Sequence, residues 1–251
     1  IDGRLQSEKN AVALEVALAD VSAARDAKTR FIAAASHDLG QPLHAAGLFF
    51  EQVMGAQTKR QRETAAQGVR KAFAAADQLL SHMLNHLSLR ADAVSPQKSK
   101  IRTGALLKRL AKRYAPAAKA QGKELRYVFS TKLVETDANL LERALGNYLN
   151  NAITHSNGKN ILLGLRTDGP DFIRFIVADD GAGVNAADAG HIFDDYFRGT
   201  ESIAGAKGGF GLGLASVKRI AGLLGGEAGL APRNGRGAMF YLRLPRAGNC
   251  A

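Results

Sequence analysis

Residues 31–43 read FIAAASHDLGQPL, and this stretch decides the fold of the first part of the chain. Its start, residues 31–35, is apolar, contains three alanines and favours a helix. A helix that continues through Leu39 and Leu43 would bury those two side chains against a partner element. The stretch therefore predicts an amphipathic helix that needs something to pack against.

One imidazole lies inside this predicted helix. His37 and Asp38 would sit beside the apolar seam and face water. Pro42 has no N–H to donate to the carbonyl of Asp38, so we expect a bend just after the histidine. Taken alone, a His-Asp pair on a helix is more often a solvated polar face than a site.

The apolar spacing extends this helix over about residues 5–53. Apolar positions step by alternating fours and threes, as in a coiled coil, but two steps of four follow each other across 35–43. Such a stutter locally unwinds a supercoil, and it falls on the histidine. The alternative is an ordinary amphipathic helix with imperfect spacing, which the charges of Arg25 and Lys28 in the seam favour.

A second helix should follow a turn at residues 54–58, which contain a glycine and a capping threonine. A clean alternation of fours and threes predicts this helix over about 59–89, packed antiparallel on the first. One hairpin alone would expose an apolar stripe on both helices. The pattern therefore predicts a homodimer built on a four-helix bundle.

The full string around the histidine resembles a known motif. Ser-His-Asp-Leu followed by Gln-Pro-Leu is similar to the phosphoacceptor motif of sensor histidine kinases, usually His-Glu/Asp-Leu-Arg-Thr-Pro-Leu, and departs from it at Gly40 and Gln41. The resemblance implies that His37 accepts a phosphoryl group and that Asp38 acts as general base or orients the ring. Gln41 carries the hydrogen-bonding groups to orient a water for a phosphatase reaction, or is simply a solvated surface glutamine.

The composition limits the possible classes of protein. A length of 251 residues predicts one or two domains with enough material for a buried core. Cys250 is the only cysteine, which excludes a disulfide framework within one chain and fits a reducing compartment. No apolar run is long enough to span a bilayer. We therefore expect a soluble, cytoplasmic fragment, with any sensor or membrane anchor upstream of Ile1.

The formal charge of +11 suits an anionic partner. The basic residues are scattered and lack interleaved aromatics, so we expect no nucleic-acid partner. Binding of nucleotide phosphates or of an acidic response-regulator partner would explain the same net positive charge.

A second domain should begin after a linker at residues 93–100. Helices alternate there with strands that are mostly joined by hairpins, which predicts a two-layer α+β sandwich. The expected helices lie near 103–115, 136–154 and 212–224, and the expected strands near 125–129, 161–166, 172–178 and 237–244.

Three polar motifs carry the chemistry of this domain. Asn147 and Asn151 are four residues apart and share one helical face, where amide oxygens suit Mg²⁺. Asp179 ends an apolar strand and precedes two spaced glycines, so its carboxylate can accept a hydrogen bond from an exocyclic amine. Residues 208–214, GGFGLGL, lead into a helix and offer backbone N–H groups to phosphates, although they match neither the Walker nor the Rossmann spacing.

In this order the motifs resemble the asparagine box and the two glycine boxes of the GHKL ATP-binding (Bergerat) fold. Residues 192–198, IFDDYFR, are similar to the phenylalanine box of histidine kinases. The resemblance implies ATP and Mg²⁺ as ligands, with Asn151 as the magnesium ligand. The implied nucleotide contacts are Asn147, Asn151, Thr154, His155, Asp179, Gly181, Gly183, Arg198, Lys207, Gly209, Gly211, Leu212 and Gly213.

These features together predict the core of a dimeric sensor histidine kinase. We expect a signalling helix over 1–30, a dimerisation and phosphotransfer domain over 31–92, and a catalytic ATP-binding domain over 101–247. The phosphoryl group would pass from His37 to an aspartate of a response-regulator receiver domain. Two alternatives share the nucleotide motifs: a GHKL ATPase that uses ATP as a conformational clamp, and a nucleotide-binding pseudokinase scaffold. The other histidines lack zinc-site spacing and are read as structural or surface residues.

Overall fold

The computed structural model shows two compact units, residues 1–81 and 82–251. It describes residues 22, 25, 29, 33, 36–90, 95–197, 199, 211–232 and 236–246, with only the backbone described at 78 and 81–90. The predicted signalling helix over 1–30 lies almost wholly outside these residues.

The first unit is a helical hairpin. Helix α1 is described over 36–55, and helix α2 spans Lys59–Arg90. The ring of Phe49 on α1 lies where a side chain at Gly68 of α2 would project, so the absent Cβ lets the two helices approach closely. Helical structure continues through Pro42, so the proline does not end α1.

The connection between α1 and α2 is short because α2 starts with a capping box. The backbone N–H of Gln61 donates to Thr58 Oγ1 at 3.3 Å, and the N–H of Thr58 donates to Gln61 Oε1 at 3.2 Å. The predicted capping role of Thr58 is confirmed. The turn itself is shorter than expected, since α1 includes residue 55.

The second unit is an α+β sandwich, as predicted. Its helices are α3 (Thr103–Ala120), α4 (Ala138–Thr154) and α5 (Gly213–Leu223). Its strands are β1 (Ser99–Arg102), β2 (Glu124–Tyr127), β3 (Leu133–Thr136), β4 (Asn160–Asp168), β5 (Phe172–Asp179), β6 (Glu227–Leu230) and β7 (Met239–Pro245).

Five strands form the main sheet in the order β2-β4-β5-β7-β6, and β1 pairs with β3 in a separate two-stranded sheet. Strand β2 runs parallel to β4, and the other neighbours are antiparallel. The predicted linker over 93–100 is therefore wrong at its end, because Ser99 and Lys100 belong to β1. Short strands such as β1, β3 and β6 give little periodicity by themselves and form through pairing with distant residues.

The core lies between the main sheet and the helices. Leu141, Leu145 and Leu149 of α4 are fully buried, because residues four apart lie on one face of a helix. Tyr148 on the same helix stacks on Phe240 of β7 with ring centroids 5.3 Å apart. This packing fixes α4 on the sheet and places its remaining face toward the start of α5.

Candidate functional site

His37 lies on the exposed surface of α1, with about 70% of its side chain accessible. Its Nδ1 is 3.1 Å from Asp38 Oδ1. A carboxylate oxygen accepts, so this contact is a hydrogen bond when the ring carries its proton on Nδ1. In that tautomer the lone pair lies on Nε2, which is the arrangement that a nucleophile requires.

Gln41 and His44 follow His37 along the same exposed helix. Spacings of four and seven residues place all three side chains on one helical face. Gln41 therefore lies one helical turn after the histidine on this face.

The asparagine face of α4 meets the beginning of α5. Asn147 Nδ2 donates to the carbonyl oxygen of Gly213, the first residue of α5, at 3.2 Å. A Cβ on Gly213 would lie 3.9 Å from Asn151 Oδ1. The side-chain amides of Asn147 and Asn151 therefore lie beside the first backbone N–H groups of α5, which have no partner within the helix. Anionic oxygens are favoured at such a helix start.

Asp179 ends β5 and is 6% exposed. Its Oδ1 accepts from Ser156 Oγ at 2.8 Å and from the backbone N–H of Gly181 at 2.9 Å. These donors hold the carboxylate in one orientation. Gly181 is required here, because a side chain would overlap Ser156. The sequence predicted Asp179 and Gly181 but gave no signal for Ser156, which lies in the loop after α4.

The neighbouring Asp180 is held in place by Asn160. Asp180 Oδ1 accepts from the backbone N–H of Asn160 at 2.8 Å, and Oδ2 accepts from its side-chain amide at 2.6 Å. These hydrogen bonds keep the pKa of Asp180 below its ordinary value. The contact fixes the loop after β5 against the start of β4.

Lys123 is a supporting residue that the sequence did not reveal. Its Nζ donates to the carbonyl oxygens of Ala152 at 2.9 Å and Ile153 at 2.7 Å, and also to that of Ser156. Burial lowers the pKa of Lys123, while nearby Asp179 and Asp180 act to raise it. A cation at the end of α4 satisfies carbonyls that have no helical partner.

The glycine turn before α5 depends on its backbone conformation. Gly211 has a φ of +66°, and a side chain there would overlap the carbonyl of Phe197. Leu212 is 4% exposed and anchors the turn in the core. Gly183 lies after β5 and is exposed. The predicted contacts at Arg198, Lys207 and Gly209 lie outside the described residues.

Thr154 and His155 stand at the end of α4 and are exposed. The backbone N–H of His155 donates to the carbonyl of Asn151 at 2.8 Å and caps the helix.

Of the residues that resemble a phenylalanine box, Phe193 packs edge-on against Phe240, with ring centroids 6.4 Å apart. Residues 200–210, which include the first part of the glycine-rich stretch before α5, lie outside the described part of the chain.

No cluster of three or more His, Cys, Asp or Glu side chains that could hold a metal ion occurs in the described parts of the chain. The polar groups at the asparagine face are neutral amides. Such a donor set fits a cation that shares its coordination with phosphate oxygens and water.

Comparison with known proteins supports the same interpretation. Residues 136–248 match the family described as histidine kinase-, DNA gyrase B- and HSP90-like ATPase. The chain is 28% identical to the sensor histidine kinase AruS of Pseudomonas aeruginosa, over 97% of this chain and 25% of AruS. It is 29% identical to the sensor-like histidine kinase SenX3 of Mycobacterium tuberculosis, over 87% of this chain and 54% of SenX3.

A solved structure shares the fold. The crystal structure of full-length ShkA in complex with AMPPNP has a TM-score of 0.64 and 24% identity, over 89% of this chain and 47% of that chain. The chain spans between a quarter and about half of the length of the two curated relatives.

The fold of the second unit is that of a GHKL-type ATPase domain. The family match to residues 136–248 and the two curated relatives support a sensor histidine kinase core. None of the helices that the structure describes is long and apolar enough to cross a lipid bilayer.

Proposed function

We propose that the chain is an ATP-dependent histidine autokinase that phosphorylates His37. The observation that carries the proposal is the exposed imidazole whose Nδ1 lies on Asp38, in a chain whose other unit has the ATPase fold. The two features explain each other, since one unit binds the phosphoryl donor and the other carries its acceptor.

The described residues of the second unit suit ATP. Asp179 would accept a hydrogen bond from the exocyclic amine of adenine, with Ser156 holding its orientation. Asn147 and Asn151 lie where the phosphates would approach the start of α5. Asn151 would hold Mg²⁺, which neutralises charge on the phosphates.

The remaining predicted contacts complete the nucleotide site. Thr154 and His155 would line its edge at the end of α4, and Arg198, Lys207 and Gly209 would contact the triphosphate. Gly211 and Gly213 let the backbone approach the phosphates closely.

In the reaction, Nε2 of His37 attacks the γ-phosphorus. A nitrogen–phosphorus bond forms, the bond from that phosphorus to the β,γ-bridging oxygen breaks, and ADP leaves. The proton on Nδ1 is shared with Asp38, which orients the ring and stabilises the positive charge that develops on it. The phosphoryl group then passes to an aspartate of a receiver domain.

The hairpin supports a homodimer. Leu43, Phe50, Phe73 and Leu80 are each 45% or more exposed and belong to the predicted apolar stripes. A second copy would cover these side chains and complete a four-helix bundle.

Incubation with γ-labelled ATP tests the proposal. We expect acid-labile, base-stable label on the wild-type chain and none on the His37→Ala variant, because the acceptor nitrogen is removed while the nucleotide site is untouched. His44→Ala is the matched control, since it removes another exposed histidine from the same helix and should keep the label. Free phosphate without labelled protein would indicate an ATPase clamp, and binding without turnover would indicate a pseudokinase scaffold. Either result would overturn the proposal.

Gln41 supports a second reaction at the same face. Its amide can position a water for attack on the phosphoaspartate of the regulator, so the chain would also act as a phosphatase. Gln41→Ala should slow the decay of phosphorylated regulator in the presence of ADP while sparing autophosphorylation. Equal decay with both proteins would leave Gln41 as a solvated surface residue.

A further inference from the structure

The main sheet has a second face. Helix α4 packs on the face where Phe175 and Leu242 are buried. Strand residues alternate between faces, so the neighbours of those positions form the opposite face, called the outer face here. Its exposed apolar members include Val128 at 50% and Leu162 at 44% exposure.

Three arginines lie side by side on the outer face. Arg166 of β4 is paired in register with Arg174 of β5, and Arg174 is paired with Arg243 of β7. Neighbouring strands are about 4.8 Å apart, so three like charges occupy one row across the sheet. Like charges directly opposite each other destabilise a sheet. Other contacts must therefore offset the repulsion between these arginines.

Part of the compensation lies within the sheet. Asp168 Oδ2 accepts from Arg174 Nη2 at 2.7 Å and from Arg243 Nε at 2.8 Å. These hydrogen bonds, first that from Arg174, hold the pKa of Asp168 below its usual value. On β6, Glu227 is paired in register with Arg243. The β7 end of the row is therefore balanced.

Two of the guanidinium groups also lie flat on aromatic rings. The Cζ of Arg243 is 3.5 Å from the ring centroid of Phe172, and that of Arg174 is 4.5 Å from the ring centroid of Tyr241. Stacking of this kind orders the side chains before any partner arrives. The Tyr241 ring lies over Gly229, where a side chain would collide with it.

The β4 end of the row differs from the β7 end. Arg166 is exposed and stands two residues from Gly164, where an added Cβ would lie 3.5 Å from the side chain of Val128. Leu162 is the next outer-face residue of β4 on the other side of Gly164. This end therefore joins the exposed Arg166 to an exposed apolar strip, beside which Arg126 of β2 pairs with Glu124 at 2.8 Å.

We propose that Val128, Leu162 and Arg166 form a docking surface for a partner protein that presents a carboxylate beside an apolar side chain. The carboxylate would pair with Arg166, and the apolar side chain would cover Leu162 and Val128. Mixed surfaces of arginine and apolar side chains are typical of protein interfaces. The surface is separate from the nucleotide site, so binding there does not depend on the proposed kinase reaction.

The charges favour a protein over other anionic partners. A nucleic acid or an anionic bilayer presents many phosphates and needs several projecting cations. On this face Arg174 and Arg243 are already held by Asp168, and the carboxylates of Asp168 and Glu227 would repel further phosphates. A second copy of the same surface is disfavoured because two Arg166 side chains would meet.

The test measures binding of a fluorescent peptide to the full chain. The probe is a synthetic peptide of repeated Glu-Leu-Phe-Glu units, and a peptide with lysine in place of glutamate is the charge-reversed control. We expect the acidic probe alone to bind, and Arg166→Glu to weaken binding by about tenfold or more, in the range measured for paired interface charges. Leu162→Asp should weaken it as well.

Lys112→Glu is the matched control, because it makes the same charge change at an exposed position of α3. It should change the affinity by less than about twofold, since distant surface charges are largely screened at physiological salt. Autophosphorylation by the Arg166→Glu chain should equal that of the wild type, which shows that the fold is intact.

Three outcomes would overturn the proposal. Equal weakening by Arg166→Glu and Lys112→Glu would mean that the probe senses only net charge. Failure of the acidic probe to bind would remove the docking surface. Tighter, Arg166-dependent binding to phosphatidylglycerol vesicles or duplex DNA would assign the surface to a lipid or a nucleic acid instead of a protein.

Discussion

The two units bury different kinds of side chain. In the described part of the hairpin, the buried apolar residues are the alanines Ala46, Ala65, Ala72 and Ala76, while Phe50 and Phe73 are more than half exposed. In the α+β unit, large side chains such as Phe175 and Leu145 are fully buried.

This difference shows which unit is complete within one chain. Burial of a large apolar side chain stabilises a fold by about 1.5–3 kcal/mol, and the α+β unit obtains this stabilisation within one chain. The hairpin has comparable side chains but leaves them in water. In the homodimer proposed above, a second copy would cover these side chains and add the stabilisation that the α+β unit obtains by itself.

The largest expected effect is on the buried core of the α+β unit. Phe175→Ala should lower the free energy of unfolding of the α+β unit by about 3–5 kcal/mol, because it leaves a cavity in a packed interior. Urea denaturation followed by tyrosine fluorescence measures it, since the chain has no tryptophan and its five tyrosines all lie between residues 114 and 241.

Leu162→Ala is the control for that measurement. Its side chain is 44% exposed on the outer face, so its loss should cost less than about 1 kcal/mol. Similar losses for the two variants would mean that the α+β unit is not the tightly packed body described above.

The second prediction concerns the exposed apolar side chains of the helical hairpin. Phe50→Ala should weaken self-association by about 1.5–3 kcal/mol, roughly tenfold or more in the dissociation constant, because the ring would be buried by a second copy. Sedimentation equilibrium at micromolar concentration measures this change. The midpoint of the tyrosine-detected urea transition should not move.

Phe129→Ala is the matched control for the hairpin variant. Phe129 is 65% exposed but belongs to the α+β unit, so the dimer should keep its affinity. A wild-type chain that sediments as a monomer would contradict the need for a second copy.

A smaller effect is expected at Lys123. Lys123→Met should weaken binding of Mg·AMPPNP by about tenfold, because charged hydrogen bonds to carbonyls are worth about 1.5–3 kcal/mol and some are replaced by water. The loss would loosen the segment that carries Ser156, which orients Asp179. Calorimetric titration measures the affinity. Lys123→Arg should restore most of it, and equal affinity in all three proteins would refute the positioning role.

The smallest effect is a pH dependence on the outer face. The hydrogen bond from Arg174, and then that from Arg243, hold the pKa of Asp168 below its ordinary value of 3.8. Its contribution to stability is therefore complete above that ordinary value and is lost as the pH falls through the lower, folded-state pKa.

Asp168→Asn should consequently lower the melting temperature by a few degrees at pH 7, and the difference from the wild type should shrink below about pH 4. Arg166→Gln serves as the control, because Arg166 makes no hydrogen bond to Asp168 among the described contacts. A difference that stays constant from pH 7 to pH 3 would contradict the assignment of the charge pair.

Long periodic elements could be predicted from the sequence. The leucine spacing of α4, the capping threonine before α2 and the apolar strands β4 and β5 all carry their own signal, and the structure confirms them. Asp179 and Gly181 alone would predict an ordinary turn, and they were assigned to a site because they occur in order with the asparagine and glycine motifs.

Other features could not be read from the sequence. Ser156 and Lys123 are ordinary polar residues in ordinary positions, and only the folded chain brings them to Asp179 and to the end of α4. The strands β1 and β3 are too short to show a period. They form because each provides hydrogen-bond partners for the backbone N–H and C=O groups of the other.

The sequence by itself determined the two kinds of unit, the proposed acceptor histidine and the polar motifs of the proposed nucleotide site, because each rests on spacing within one helix, strand or turn. The tertiary structure decided what surrounds them: the hydroxyl of Ser156 that orients Asp179, the lysine at the end of α4 and the pairing of Arg174 with Arg243 on the outer face. Ser156 and Asp179 are 23 positions apart and Lys123 and Ile153 are 30 apart, and no local pattern in the chain specifies such a pairing.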